Sequence, residues 1–251
     1  MQGVQTHHPP GAVAMCTGET FRYSISAQAY ARLQVPADSL SCWFMGVLVA
    51  KNLNLAISSA LANPKMQWVW FMGDDHVYQP DIIFRLLDRD KDVVAPLCLN
   101  RVPPHEPTIA VWKDTGGEVP LPYKEARAGD PSWYRLKQFA ELPTSGLYKL
   151  ASNETCGDSG MLIRRSVLEK LSYPWYDRLR TGAFGAFSAD DQEFILKIKA
   201  AGFDIWMDLD IPIGHIAPIT VYPVTKDGKW KVRLQAGSHT ISDLEPPPQR
   251  V

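Results

Sequence analysis

The stretch Trp68-Val69-Trp70-Phe71-Met72-Gly73-Asp74-Asp75-His76-Val77-Tyr78-Gln79-Pro80 decides how this chain is read. Residues 68–72 are apolar without the alternation of a half-solvated strand. That pattern suits a strand covered on both faces, as in a parallel sheet. The run stops at Gly73, and two carboxylates and an imidazole follow directly. Pro80 then sits where a helix begins, since proline is accepted in the first turn. The expectation is a central strand that carries Asp74, Asp75 and His76 to its carboxyl end. The plain alternative is a solvated turn with a helix-capping aspartate.

The segments on either side repeat the pattern. Residues 12–16 form a short apolar run that ends in the polar turn Thr17-Gly18-Glu19-Thr20. In open α/β sheets such a position lines the ligand crevice. Residues 21–33 predict a helix closed before Pro36, and 41–50 a strand running into a turn. A helix over 51–62 is supported by Leu53, Ile57, Ala60 and Leu61, which share one face at helical spacing. Asn63-Pro64 ends it. After Pro80, the residues Ile82, Ile83, Leu86 and Leu87 make the inner face of a further helix, and 92–96 reads as the next strand. This alternation predicts an α/β fold, a Rossmann-like, mostly parallel sheet flanked by helices.

Residues 100–155 break the rhythm with prolines and the turn 114–117, and predict an irregular mid-chain excursion beside the sheet. Order resumes near 155. Ser166 and Glu169 have the spacing of a capping box ahead of a short helix. Asp190, Asp191 and Glu193 open another helix, where acids suit the positive end of the helix dipole, and Gly202 is placed to close it. Residues 204–208 predict a last strand, followed by a turn with His215. Residues 221–234 predict a C-terminal hairpin about Asp227-Gly228, and 246–251 a tail. The whole reads as one domain, 1–251, with halves 12–100 and 101–218 and a hairpin and tail over 219–251.

Composition sets the frame. The 251 residues are 45% hydrophobic and 21% charged, with a formal net charge of -1. That is enough chain for a large core, and nothing global points to nucleic acid or an anionic membrane. Cys16, Cys42, Cys98 and Cys156 form no C-x-x-C pair, so neither a zinc knuckle nor a disulfide scaffold is suggested. No signal peptide is read at the start, and no apolar run approaches the ~20 residues that cross a bilayer. A cytoplasmic protein is the expectation.

The chemistry concentrates in acids and histidines placed after strands. Aspartate and histidine together suit a divalent ion of intermediate hardness, such as manganese. One strand end supplies too few ligands, and His215, after the last strand, would share the same sheet edge. At the start of its helix, Asp191 or Asp190 could accept a proton from an acceptor hydroxyl, with Glu193 and Asp158 as lesser candidates.

In order and spacing these features resemble the GT-A glycosyltransferases, particularly the family-2-like group that uses nucleotide sugars. Val49-Ala50-Lys51-Asn52 resembles the helix-opening "aRN" segment, with lysine for arginine. Residues 71–80 resemble the strand and D-x-D motif, with His76 where the final aspartate often stands. Residues 157–171 and Pro174-Trp175-Tyr176 look like the acceptor-side run, and Ala189-Asp190-Asp191 like the "x-E-D" helix start, with Asp190 for glutamate. Gly214-His215-Ile216 looks like the carboxy-terminal metal histidine. The resemblance covers roughly residues 12–218. It implies a GT-A type fold and transfer of a sugar from a UDP- or GDP-linked donor to a hydroxyl. It implies Mn2+ or Mg2+ held by Asp74, Asp75, His76 and His215. Nucleotide contacts would come from Thr17, Glu19, Lys51, Asn52 and Asp74, and sugar or acceptor contacts from Gly157, Asp158, Ser159, Trp175 and Tyr176. Asp191, with Asp190 beside it, would be the base of an inverting reaction. The acceptor stays open among a small metabolite, a glycan, a protein and a modified nucleobase.

Three other readings compete. A metal-dependent nucleotidyltransferase shares the layout but usually brings a glycine-rich basic loop near its start, which is absent here. A non-haem iron oxygenase using Asp74, His76 and His215 would usually sit on a β-sandwich. A carbohydrate-binding module would have no need of the acids and His215.

Overall fold

The computed structural model describes residues 1–17, 23–46, 48–101, 105–112, 134–176, 190–236 and 239–244. Glu19, the turn 114–117, the segment 181–187 and the tail 246–251 lie outside the described residues.

The centre is a seven-stranded sheet. Its spatial order is Leu147–Lys149, Trp206–Pro212, Val93–Leu97, Leu162–Arg164, Trp68–Met72, Ala12–Thr17 and Leu40–Met45. Five of these strands run the same way. Leu162–Arg164 is inserted antiparallel between Val93–Leu97 and Trp68–Met72, and Leu147–Lys149 is an antiparallel edge. The sheet is thus mixed and mostly parallel. The inserted strand is only three residues long, too short for its direction to show in a hydrophobic pattern.

All five residues of Trp68–Met72 are buried, because both faces of the sheet are covered. Successive side chains alternate between faces. Val69 and Phe71 join the core formed with helices α2 (Val49–Ala62), α4 (Arg165–Lys170) and α5 (Asp190–Ala200). Trp68, Trp70 and Met72 join the opposite core with α3 (Ile82–Asp88). Ile82, Ile83, Leu86 and Leu87 are all at most 2% exposed. At about 1.5–3 kcal/mol each, their burial anchors a helix too short to hold by itself. Trp70 Nε1 donates to the Gly160 carbonyl at 2.7 Å, tying the central strand to the turn that leads into the inserted one.

Several local expectations change. The strand predicted over 41–50 ends at Met45, and Gly46, at φ +146, turns the chain so that α2 begins at Val49. No Ser166 capping box forms, since α4 starts at Arg165 without a side-chain cap and Glu169 instead meets Arg165 Nε at 2.7 Å. The C-terminal hairpin is the first part of a three-stranded meander, Ile219–Lys226, Lys229–Ala236 and His239–Leu244. Its first turn has positive φ at Asp227 and Gly228, the backbone that a tight two-residue hairpin demands. Within the mid-chain region, Ile109–Trp112, Tyr134–Leu136 and Glu154–Cys156 form a small separate sheet. Among the described residues, no helix is long and apolar enough to cross a membrane.

Candidate metal centre

The sheet order explains why certain side chains meet. Trp206–Pro212, Val93–Leu97 and Trp68–Met72 point their carboxyl ends to one edge. His215, Cys98 and Asp75-His76 follow those ends in turn. The inserted strand runs the other way, so the turn before it, 157–160, reaches the same edge. Gly160 N–H donates to the Phe71 carbonyl at 2.7 Å, fixing that turn over the end of the central strand.

Two short strands complete the edge. His76–Val77 and Gly214–His215 pair antiparallel with His76 opposite His215. Their imidazoles stack at 4.2 Å between centroids and 18° between planes. Asp75 touches both rings, Oδ1 lying 2.8 Å from His76 Nδ1 and Oδ2 3.5 Å from His215 Nε2. Arg101 Nη1 reaches Asp75 Oδ2 at 3.1 Å from an exposed position. His76 is only 4% exposed, and its Nδ1 has no hydrogen bond of proper geometry despite the nearby carboxylate. His215 Nδ1 lies 2.8 Å from the Leu99 carbonyl and can only donate to it, which leaves Nε2 facing the cluster. Metal-binding histidines are commonly oriented by such an outer carbonyl.

The backbone holds this arrangement. Ile216 N–H donates to the Asp75 carbonyl at 2.8 Å, and Ser26 Oγ from helix α1 (Ser24–Arg32) donates to the His76 carbonyl at 3.0 Å. Gly73 N–H donates to the buried Tyr78 hydroxyl at 2.9 Å. A Cβ on Gly73 would lie 2.6 Å from His76 Nδ1 and 3.1 Å from Ser159 Oγ, so glycine is what lets the ring fold against the strand end.

The ligand atoms of His76, Cys98 and His215 all lie within 4.8 Å of one another. The sequence reading passed over Cys98, Arg101 and Tyr78. The signal for Cys98 was the one already applied to Asp75 and His215, a donor placed directly after a strand. Asp74 is buried beside them but is not one of the three grouped ligands. Burial opposes charge on the His215 imidazole, yet hydrogen bonds to Asp75 and Cys98 push it up to about 10. Burial likewise opposes the Cys98 thiolate, and hydrogen bonds from His215 and His76 bring it down to about 7. Asp75 is held well below the usual carboxylate range by the two histidines against its burial. The pocket therefore favours positive charge between Asp75 and Cys98, as protons or as a cation.

A second polar group adjoins the first. Tyr176 Oη donates to Asp158 Oδ2 at 2.7 Å. A Cβ on Gly157 would lie 3.6 Å from Asp191 Oδ2. Asp191 Oδ1 accepts Gln192 N–H at 2.8 Å, and Glu193 is buried with Lys197 Nζ 3.5 Å away. Burial first, and the nearby Asp158 charge second, keep the proton on Tyr176. Asn54 clamps this region to α2, donating to the Tyr176 carbonyl at 2.7 Å and accepting its N–H at 3.1 Å. Trp175 and Tyr176 are core residues rather than open stacking faces, and Trp175 Nε1 donates to the Leu168 carbonyl.

The remaining sequence candidates are spread more widely. Thr17 is buried at the end of its strand, and Lys51 is exposed on the first turn of α2. The Asn52 amide donates to the Gly46 carbonyl at 2.9 Å and so supports the turn into α2. Helix α5 begins at Asp190, whose side chain lies outside the described residues, as does Glu19.

No protein-family model matches the chain, and no curated protein matches it. Among solved structures it is similar to A197 from STIV, at 12% identity and TM-score 0.46, covering 86% of this chain and 99% of that one. It is also similar to GalNAc-T7 with UDP, GalNAc and Mn2+, at 9% identity and TM-score 0.48, covering 89% of this chain. It spans 45% of the GalNAc-T7 chain. A third likeness is to 4-diphosphocytidyl-2C-methyl-D-erythritol synthase from Anaerococcus prevotii, at 9% identity and TM-score 0.39, covering 79% of this chain and 88% of that one. None of these likenesses reaches a TM-score of 0.5, and none carries a functional conclusion for this chain.

Proposed function

We propose that this protein transfers a sugar from a nucleoside-diphosphate donor, UDP- or GDP-linked, to an acceptor hydroxyl with the help of a divalent cation. One observation carries the reading. His76 and His215 stand opposite each other beside Asp75, at the sheet edge that also receives the turn with Asp158 and the start of the helix with Asp191. A cation-favouring pocket and a carboxylate pocket on one edge are what leaving-group stabilisation and proton acceptance require.

The buried His76 Nδ1, which meets Asp75 Oδ1 without hydrogen-bond geometry, and His215 Nε2, which faces Asp75 because Nδ1 is engaged by the Leu99 carbonyl, fit a cation held by His76, His215 and Asp75. By the resemblance this ion would be Mn2+ or Mg2+, with Asp74 as a further ligand or a ribose contact. Bound there, the ion would offset charge on the departing diphosphate. Arg101, whose Nη1 lies 3.1 Å from Asp75 Oδ2, would meet the same phosphates from the solvent side. Thr17, Glu19, Lys51 and Asn52 would border the nucleotide, and Gly157, Asp158 and Ser159 the sugar. Trp175 and Tyr176 would shape that pocket from within the core, Tyr176 by orienting Asp158.

In an inverting reaction, the acceptor hydroxyl would bond to the anomeric carbon as its proton passes to Asp191. The bond from that carbon to the diphosphate oxygen would break, its electron pair leaving with the diphosphate. Asp190, the neighbouring acid, would support the same role. A donor screen read by nucleoside diphosphate release tests the reading. At least one nucleotide sugar should be turned over, and Asp191→Asn should abolish turnover while nucleotide binding persists. Unchanged turnover in that variant would remove Asp191 as the base, and no release from any donor would refute the transfer.

A further inference from the structure

The donor set at the sheet edge contains a thiol that neither carboxylates nor histidines require. Cys98 is 6% exposed and follows Val93–Leu97, the parallel strand between those leading to His76 and His215. Its position is therefore set by the sheet. Thr108 N–H and Oγ1 both bond the Cys98 carbonyl, at 2.9 and 3.2 Å, which fixes the backbone that aims the sulfur. The thiol also makes a long contact, 3.6 Å, to the Leu99 carbonyl. The same carbonyl takes the His215 Nδ1 proton, so one backbone oxygen orients two of the three donors.

Hard cations are selected by oxygen ligands, and thiolate with imidazole selects softer ones. Zinc binds such mixed sets at about 2.0–2.1 Å to nitrogen and about 2.3 Å to sulfur. The three donor atoms lie within 4.8 Å of one another, close enough to share one such ion when the stacked rings turn toward it. The buried His76 Nδ1 meets Asp75 Oδ1 at 2.8 Å without hydrogen-bond geometry, an arrangement that a shared cation would satisfy.

We propose that His76, Cys98 and His215, with Asp75 beside them, form a thiolate-containing site that takes zinc in preference to manganese or magnesium. The assignment stands on the donor set and does not depend on the transfer reaction. It replaces the ion that the sequence resemblance implies. Binding forms a zinc–sulfur bond and releases the thiol proton to solvent, with no change of oxidation state.

The test uses the full chain, stripped with chelator and titrated with Co2+ as a spectroscopic stand-in for zinc. The expected result is one ion per chain with intense tetrahedral visible bands and a near-ultraviolet thiolate-to-cobalt transition. A saturated site without that transition would overturn the proposal, and this needs no variant. Cys98→Ser, checked for folding by circular dichroism, should lose the transition and weaken zinc binding by more than about 100-fold, beyond what outer-shell partners typically cost. His215→Gln, which keeps the sulfur, should weaken it comparably. The surface group His7, His8 and Asp88 has no thiol, so binding there cannot give the signal. Equilibrium dialysis against equal Zn2+ and Mn2+ should load zinc. Manganese loading, or an undiminished transition in Cys98→Ser, would contradict the assignment. A confirmed zinc site without nucleotide-sugar turnover would uphold the assignment while the transfer reading failed.

Discussion

Gly73→Ala probes the arrangement at its tightest point. The added Cβ would sit 2.6 Å from His76 Nδ1, 3.2 Å from His76 Cε1 and 3.1 Å from Ser159 Oγ. Real Cβ atoms essentially never approach that closely, so something must move. The ring has little room, because it is stacked on His215 at 4.2 Å and its own carbonyl is held by Ser26. The strand end is held as well, by Gly73 N–H to Tyr78. Overpacking of this kind costs about 1–3 kcal/mol. For a chain of this size that corresponds to roughly 2–4 °C of melting temperature per kcal/mol. The displaced ring should also weaken metal binding sharply, even where the fold survives. Gly3→Ala is the control, since its added Cβ would meet only a backbone atom at 3.8 Å and should change stability by less than about 0.5 kcal/mol. Thermal melts with and without added metal read both effects. A Gly73→Ala protein with unaltered melting temperature and unaltered metal affinity would refute the packing argument.

Other consequences can be measured separately. Arg89 Nε reaches the fully buried Asp208 at 2.5 Å, so Arg89→Met should cost about 3 kcal/mol in urea unfolding, the lower end for breaking a buried pair because the guanidinium is partly exposed. Asn54→Ala strips both backbone partners from Tyr176, and a loss of about 2–3 kcal/mol with faster proteolysis near residues 174–176 is expected. Burial pushes Glu154 up, but Lys137, the Ala151 N–H and the Tyr148 hydroxyl outweigh it, leaving its carboxyl below the usual range. Its contribution is therefore fully present above the unfolded carboxylate pKa of about 4.3 and is lost as pH falls through the lower folded value. Urea midpoints should drop across that acid window in the wild type, and Glu154→Gln should be weaker at neutral pH with a flatter acid limb; an identical acid limb would contradict the assignment.

How much of this was readable in the residues varies by element. Trp68–Met72 was legible because uninterrupted apolar content can only be buried on both faces, and Leu53, Ile57 and Ala60 line the core side of α2 as their spacing requires. The antiparallel course of Leu162–Arg164 was not, since a hydrophobic pattern carries no strand direction. That direction matters, because it brings Asp158 and Ser159 to the edge that holds His76. Trp175 and Tyr176 show another limit: an aromatic suits a sugar face and a core equally, and only the fold reveals that these two are buried. Cys98 was within reach of the same rule that selected His215, but an isolated cysteine in an apolar run reads first as core. The capping box at Ser166 failed because Arg165 finds other partners, the carbonyls of Leu61, Asn63 and Met66 and the Glu169 carboxylate, and the N-cap falls at Arg164, two residues earlier.

The central claim is that this sheet edge holds a cation that in turn holds a nucleoside diphosphate. Isothermal titration of UDP and GDP into the chelator-treated chain, with and without added divalent metal, measures that most directly. Binding of at least one of them should require metal, and His215→Ala should abolish the metal dependence. Binding that is indifferent to metal, or absent under every condition, would contradict the account.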